Sequence, residues 1–368
     1  MSLVHNFPFI SILLCMSAGI FTSVFKPRVA RMVTFLVTGT VLVLSAMALS
    51  LTMSLDDSYP YIMGHFPAPW GNEIRIGRLE ALMATGFSAV LLVSLIPGFE
   101  RMPCFVSEKK SNLYCIMVDL ALAAVLVLIY TNDLFTVYVF IEIMTIASCA
   151  LVAVRQNGHT LVAITRYMIM HLFGSGLLLL GISMLYGITG HLLMVPLSEA
   201  VRQIVDSGQY LGPLTVVIAL ITAALAIKSA MFPFHVWAPD TYAFAPPLSS
   251  AILSGIISKA YIFVMVKFFY RVIGMDIIIS QQISPFLFVC GVAGMIIGSV
   301  IAISQRDIRR MIAYSSVAQI GYIYMGLGMG SAAGTEAAMF QMLAHAAVKS
   351  LLFLATYELI NVSGDRKR

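Results

Sequence analysis

About eleven apolar runs, separated by short polar breaks, leave this chain essentially one architecture. They fall near 6–25, 32–54, 79–97, 113–130, 132–154, 161–186, 211–234, 244–270, 284–304, 308–329 and 335–360. A helix needs about 20 apolar residues to cross the hydrocarbon core, where the backbone must satisfy its own hydrogen bonds. The predicted fold is therefore all-α, a polytopic transmembrane helix bundle of about 11 helices. Composition agrees. Of 368 residues, 60% are hydrophobic and 11% charged, with a mean hydropathy of +0.94. A soluble domain carries roughly 25% charged residues, so soluble multidomain readings are excluded. The net charge of +5 does not indicate nucleic acid, because the basic residues sit in short loops, where they report topology.

With the N-terminus outside, thirteen basic residues fall on the inner side against five on the outer side. Lys26, Arg28, Arg101, Arg155, Arg309 and the tail after residue 363 are inner, whereas Arg75, Arg78, Arg202, Lys267 and Arg271 are outer. Positive charge is retained inside, so a cytoplasmic C-terminus and an odd helix count are expected. The first apolar run has no Lys or Arg before it, which is the reverse of a cleavable signal. No organelle transit sequence is visible, and a prokaryotic plasma membrane is expected. Five cysteines without a CxxC spacing read as small buried hydrophobes rather than metal or cluster ligands. Residues 56–76, with Pro60, Pro67, Pro69 and Trp70, read as an ordered external cap. The LSEAVRQIV stretch within residues 189–212 has the spacing of a short surface helix. Glycines 174, 176, 181, 291, 294 and 298 suit close helix packing.

The stretch from Ala226 to Lys259 departs from plain apolar helix. It reads AIKSAMFPFHVWAPDTYAFAPPLSSAILSGIISK. Lys228 and Lys259 lie in apolar context on either side of a backbone interrupted by Pro233, His235 and Asp240. Broken helices at membrane depth line cavities or are buried in protein, and ionisable groups there mark ion pathways.

Four ionisable residues sit in mid-helix apolar surroundings: Glu142, Lys228, Lys259 and Lys349. His345 is one turn before Lys349 and shares its face. Asp119, Asp133 and Arg155 are placed near helix ends. A lysine in low dielectric loses much of its preference for the charged form, and a nearby carboxylate restores it. A row of such lysines, bridged by histidine and water, can hand a proton sideways, with a Glu142–Lys228 pair as the trigger. The competing reading is that these groups hold helices together. His235 serves equally well as a hydrogen-bonding tie across the break.

These residues resemble the signature of the antiporter-like subunits of respiratory complex I, related membrane-bound hydrogenases and multisubunit Mrp cation/proton antiporters. Three further stretches agree. TNDLFTVYVFIEIMTIAS is similar to the family's glutamate helix, SQRDIRRMIAYSSVAQIGYI to its inner loop and following helix, and LAHAAVKSLLFL to its histidine–lysine helix. The similarity covers about residues 70 to 360. It implies that Glu142 and Lys228 form the pair that couples to a neighbour, that Lys259 is the central relay, that Lys349 is the next, and that His345 connects them. It also implies two inverted five-helix repeats, each with a broken helix, the first broken helix being 211–233. The domains implied are an N-terminal three-helix segment with its external loop (1–112), a first complete repeat (113–270), and an incomplete second repeat with a cytoplasmic tail (271–368). Family members commonly have about 14 helices, so the second broken helix would come from another subunit, or the chain would not complete a pathway of its own. Gln341 stands where a second histidine is frequent and Arg166 where a lysine is.

The function expected is that of an ion-translocating subunit, for protons and possibly sodium, within a multisubunit redox-driven complex. It would have no catalytic centre and no bound cofactor of its own, and its partners would be other membrane subunits, including antiporter-like ones. Alternatives are an Mrp-type antiporter subunit, a non-conducting scaffold, and a haem carrier using His171, His235 and His345.

Overall fold

In a computed structural model the described residues are 3–363, apart from 56, 64–65 and 67–71. Pro67, Pro69 and Trp70 of the expected cap, and the tail beyond residue 363, lie outside them. Each of the eleven predicted segments is helical over most of its length. In order come α1 (Phe7–Thr22), α2 (Pro27–Ser54), α3 (Arg78–Arg101), α4 (Glu108–Tyr130), α5 (Leu134–Ala153) and α6 (Gly158–Thr189). The amphipathic helix α7 (Met194–Ser207) follows, then α8 (Leu211–Lys228), α9 (Ala238–Phe244), α10 (Pro247–Ile252) and α11 (Ser258–Lys267). The short α12 (Met275–Ser280) leads to α13 (Ile283–Ser304), α14 (Ile308–Gly328) and α15 (Ala332–Ser363). Among the described residues, ten helical spans are long and apolar enough to cross a bilayer. The remaining predicted segment, 308–329, is α14, a 21-residue helix that carries Arg309, Arg310 and several polar residues. Large apolar side chains such as Ile303, Phe340 and Leu172 are exposed, as expected where the surrounding solvent is lipid.

Local chemistry sets the helix ends. The Asp133 and Asn157 side chains accept from the backbone N–H groups of Thr136 and Thr160 at 2.6 and 2.8 Å, capping α5 and α6. Asp307 does the same for α14 by accepting from the Arg309 N–H at 2.9 Å. Gly190 and Gly208 close α6 and α7 in left-handed conformation. The expected surface helix is α7, which buries Met194, Leu197, Val201 and Ile204 along one face.

Two features differ from the all-helical expectation. The loop after α2 forms an antiparallel hairpin, β1 (Tyr59–Ile62) against β2 (Glu73–Ile76), with Tyr59 opposite Ile76. The predicted helix 211–234 ends at Lys228, five residues before Pro233.

The core is the α10–α11 element. Its apolar stretch within Pro247–Ile273 is buried throughout, whereas the other spans keep part of their surface exposed. It contains two π-helical turns, Leu253–Ile257 and Phe268–Ile273, and extends past the predicted end at 270. With little hydrophobic drive between helices inside a bilayer, close packing carries much of the association. α13 and α14 show this. A Cβ on Gly298 would stand 2.7 Å from the Ala318 nitrogen, and one on Gly321 2.5 Å from the Met295 nitrogen. Gly176, by contrast, meets no neighbouring atom and does not serve packing.

Candidate ion-translocation site

The break after α8 positions the first cluster. Lys228 is the last residue of α8, where the negative end of the helix dipole faces an ammonium favourably. Ala230 then adopts a left-handed φ of 63°, and the chain leaves helical geometry. The groups freed at this depth are satisfied within the protein. The Trp237 indole N–H donates to the Ile227 carbonyl at 3.0 Å, and the Ser229 hydroxyl pairs with Tyr324 Oη at 2.6 Å. Trp237 therefore ties the break. His235, expected as an equal candidate for that role, stacks on Phe232 with ring centroids 5.5 Å apart and leaves its Nδ1 without a partner.

Lys228 is fully buried, and its Nζ lies 3.5 Å from Glu142 Oε1. Ser175 on α6 sits between them. It accepts from Lys228 Nζ at 2.8 Å and donates to Glu142 Oε1. Thr145 is one turn after Glu142, lies 3.3 Å from Lys228 Nζ, and meets the Tyr261 hydroxyl at 3.4 Å. Gly174 permits the approach, since a Cβ there would stand 3.3 Å from the Ala224 carbonyl oxygen and 3.4 Å from Lys228 Cγ. Glu142 retains 28% side-chain exposure, so the carboxylate faces the protein surface while the ammonium is sealed. At an effective dielectric near 20, charges at this spacing attract by roughly 4–5 kcal/mol. Desolvation costs several kcal/mol per buried ion. The terms are comparable, so a small displacement decides whether the pair stays closed.

The second cluster joins Lys259 and Lys349, both buried. The π-helical turn releases the Ser254 carbonyl from regular α-helical pairing, and Lys259 Nζ donates to it. The Ser254 hydroxyl donates to Ser316 Oγ at 3.0 Å, and Ser316 donates to the Ile312 carbonyl at 3.0 Å. Lys349 Nζ donates to that same carbonyl at 3.0 Å and also to Ser315 Oγ. His345 is buried with both ring nitrogens unpartnered, within electrostatic range of both lysines.

Among the described residues, no direct hydrogen bond joins the two clusters. Between them lies an aromatic group. His171, fully buried, stacks on Tyr167 at 3.9 Å and contacts Trp237 at 4.7 Å and Tyr261 at 5.8 Å. Trp237 packs on Tyr242 at 5.8 Å. The Tyr242 hydroxyl faces Ser258 without meeting hydrogen-bond geometry, and Lys259 Nζ lies 3.3 Å from Ser258 Oγ. The two nitrogens of His171 are buried without hydrogen-bond partners, and the Tyr167 hydroxyl, like that of Tyr242, faces a serine, Ser148, without meeting hydrogen-bond geometry. Groups of that kind are normally bridged by water.

The remaining expected residues lie apart. Asp240 is on α9, ion-paired with Arg166 and Arg310 at 2.8 Å each. Pro233 lies within the irregular segment itself. Two placements from sequence are corrected. Asp119 is in the middle of α4, fully buried, accepting from Thr34 Oγ1 at 2.9 Å. Lys267 and Arg271 are not loop charges. Lys267 is buried and donates to the carbonyls of Leu128, Ile129 and Thr131 at the end of α4. Arg271 pairs with Glu80 at 2.6 Å. Ser175, Thr145, Ser254, Ser316 and His171 were not singled out as pathway residues. His171 alone among them carried a sequence signal, an ionisable residue inside an apolar run, and the hydroxyl residues carried none. Among the described residues, no group of His, Cys, Asp and Glu is arranged to hold a metal.

The chain is similar to known proteins along most of its length. It is 34% identical over 318 residues to NADH-quinone oxidoreductase subunit N of Desulforudis audaxviator (strain MP104C), covering 85% of this chain and 61% of that protein. It is 28% identical over 348 residues to the putative antiporter subunit mnhD2 of Staphylococcus aureus (strain JH9), covering 94% and 67%. The chain thus spans about three fifths to two thirds of the length of these relatives. Its fold superposes with a TM-score of 0.83 on a chain of the membrane-bound sulfane sulfur reductase, an archaeal respiratory membrane complex, at 26% identity over 97% of this chain and 70% of that one. The TM-score is 0.86 for a chain of the Mrp complex from Dietzia sp. DQ12-45-1b, at 26% identity over 98% and 65%. The family model described as NADH:quinone oxidoreductase/Mrp antiporter, transmembrane, matches residues 131–367. These matches and the helical architecture agree: the chain is a multi-pass membrane protein belonging to the NADH:quinone oxidoreductase/Mrp antiporter transmembrane family.

Proposed function

We propose that this chain moves protons within the membrane plane as one subunit of a larger ion-translocating complex. The observation that carries the reading is the placement of two buried ammonium clusters beside one central helix, which carries Tyr261 next to the first and Lys259 in the second, with the partly exposed Glu142 carboxylate at one end. Closing of the Glu142–Lys228 pair holds the Lys228 proton, and opening of it makes Lys228 a donor. Thr145 and Tyr261 lead from Lys228 to His171, and Tyr242 and Ser258 lead on to Lys259. The Ser254–Ser316–Ile312 ladder then couples Lys259 to Lys349, with His345 beside both. The chain's part is to hold protons at named atoms and to bias their transfer by moving one ion pair.

The force that moves the pair comes from a neighbouring subunit meeting Glu142. A redox-driven respiratory complex fits the likeness to NADH-quinone oxidoreductase subunit N and to a respiratory membrane complex. An Mrp-type assembly driven by an ion gradient is the second reading, favoured by the likeness to the Mrp complex. Iron–sulfur or nickel proteins co-purifying with the chain would select the first, and small membrane proteins alone the second. The basic-residue bias supports an outer N-terminus and a cytoplasmic C-terminus in a prokaryotic plasma membrane. The division at about residues 112 and 270 into an N-terminal segment, a first repeat and part of a second belongs to the same proposal. Glu142→Ala, assayed for ion translocation in the assembled complex, tests the reading. Transport should fall with assembly intact, and undiminished transport would remove the trigger.

A further inference from the structure

Asp119 takes no part in the lateral line, yet it is a fully buried carboxyl in the middle of a membrane helix. Thr34 on α2 donates to its Oδ2 at 2.9 Å, and its Oδ1 has no partner. None of the ion pairs among the described residues includes it. Cys15 and Cys115 lie within electrostatic range, and Arg31, one turn before Thr34, donates instead to the Phe99 carbonyl at 3.2 Å. A second contact joins the same two helices further along. The Tyr130 hydroxyl at the end of α4 faces Ser45 of α2 without meeting hydrogen-bond geometry. Thr34 and Ser45 are as far apart in sequence as Asp119 and Tyr130, so α2 and α4 run parallel and in register, with about 16 Å between the two contacts. Thr38 and Ser88 fall in that interval. Thr38 is one turn after Thr34 and fully buried. On α3, which runs antiparallel to α2, Arg78 donates to the Thr52 carbonyl and Leu92 meets Gly39. Ser88 is one turn from Leu92 on the same face, level with the gap between Thr38 and Ser45.

A serine in a membrane helix ordinarily donates back to the carbonyl one turn earlier, as Ser11 and Ser94 do at 2.8 and 2.6 Å. Ser45 and Ser88 do not. Both are buried, and neither hydroxyl has a partner. The Tyr130 and Tyr59 hydroxyls are in the same condition, within electrostatic range of each other and, for Tyr130, of Glu80. Glu80 pairs with Arg271 at 2.6 Å. Arg271 and Asn132 line a cavity of about 400 Å³ at the end of the molecule that carries the β1–β2 hairpin. Buried polar groups in such a row are normally joined by water. A hydroxyl both accepts and donates, so a row of hydroxyls and water passes protons. At its far end, a buried carboxyl with no basic partner is neutral as the protonated acid. We infer that α2, α3 and α4 enclose a second proton route, transverse to the bilayer, which connects the cavity at the hairpin end to a proton-binding site at Asp119. This route is separate from the Glu142–Lys228 line and does not depend on it.

The test uses the full chain, within its complex where that is isolated. Infrared spectroscopy follows the carbonyl stretch of protonated carboxylic acids as water is replaced by deuterium oxide. The part of that band lost in Asp119→Asn belongs to this residue. Thr34→Val, which removes the hydrogen bond to Oδ2, should move the same band and identifies it independently should Asp119→Asn fold poorly. The Asp119 band should be present at neutral pH and should shift as deuterium enters. Tyr130→Phe and Ser45→Ala each remove one hydroxyl and should slow that shift about tenfold. Ser50→Ala, on the exposed face of α2, should leave its rate unchanged. The band and its exchange should also persist in Glu142→Ala, so failure of the lateral line and failure of this route are told apart. Absence of the band overturns the proposal. So does a band that does not exchange, one that exchanges equally fast in the Tyr130 and Ser45 variants, or one that disappears in Glu142→Ala. An unchanged elution profile for each variant shows that the fold is intact.

Discussion

Lys259 and Lys349 are coupled through two carbonyls and two hydroxyls: Lys259 bonds the Ser254 backbone carbonyl, the Ser254 hydroxyl bonds Ser316, and Ser316 shares the Ile312 carbonyl with Lys349. Three helices contribute, and the π-helical turn at Leu253–Ile257 makes it possible by releasing a carbonyl at the right depth. Neither lysine has a carboxylate partner in this ladder. Each ammonium is held by neutral oxygens, so a proton can leave one lysine without stranding a buried counter-ion.

The ladder should behave as one unit. Ser254→Ala and Ser316→Ala each remove a link in the same chain. Each is expected to slow translocation several-fold, and the double variant should be little worse than either single one. Transport rates in the assembled complex, compared across the four proteins, check this. Additive losses would mean that the two hydroxyls act separately.

Ser175 is the bridge of the first cluster. Ser175→Ala removes the 2.8 Å acceptor from Lys228 and leaves the ion pair at 3.5 Å to act alone. A lost hydrogen bond to a charged group is worth about 1.5–3 kcal/mol, so transport should fall roughly tenfold or more. Ser175→Thr restores a hydroxyl and should recover a measurable part of the rate.

Trp237 stitches the broken helix through the Ile227 carbonyl. Trp237→Phe keeps the ring and removes the N–H. The buried carbonyl is left unsatisfied at a cost of about 1–3 kcal/mol. A lower midpoint of thermal unfolding in detergent is expected, larger than that of His235→Phe at the neighbouring turn.

Lys267 is a structural group on this account. Its ammonium gathers three carbonyls at the end of α4. Lys267→Met should reduce the amount of folded protein and destabilise it by about 2 kcal/mol or more, read as a lower unfolding midpoint. Translocation per assembled complex should be retained. Normal stability with abolished transport would instead place Lys267 on the pathway.

Much of the site was legible because a charge in a long apolar run stands out. Glu142, Lys228, Lys259 and Lys349 needed no more than that, and the amphipathic spacing of α7 was equally plain. Serine and threonine are common in membrane helices, so nothing in the runs containing Ser175 or Ser254 set those residues apart. His171 lies well inside α6, one turn after Tyr167, yet its other neighbours Trp237 and Tyr261 come from two separate segments, and only folding brings them to it. The position of the break was misjudged because Pro233 is conspicuous. The backbone turns at Ala230, a residue with no preference for left-handed geometry. Lys267 was read as a loop charge because it sits near the end of its apolar run, and the π-helical turn that extends the helix past it leaves no mark in composition.

The most direct measurement is ion translocation by the intact complex, in sealed vesicles, with Lys259→Ala in this chain. Lys259 is buried on the central helix and belongs to the one cluster that every proposed transfer must enter. Assembly at the native level, with translocation reduced at least about tenfold, is the expected result. Native translocation rates in the assembled variant would contradict the account.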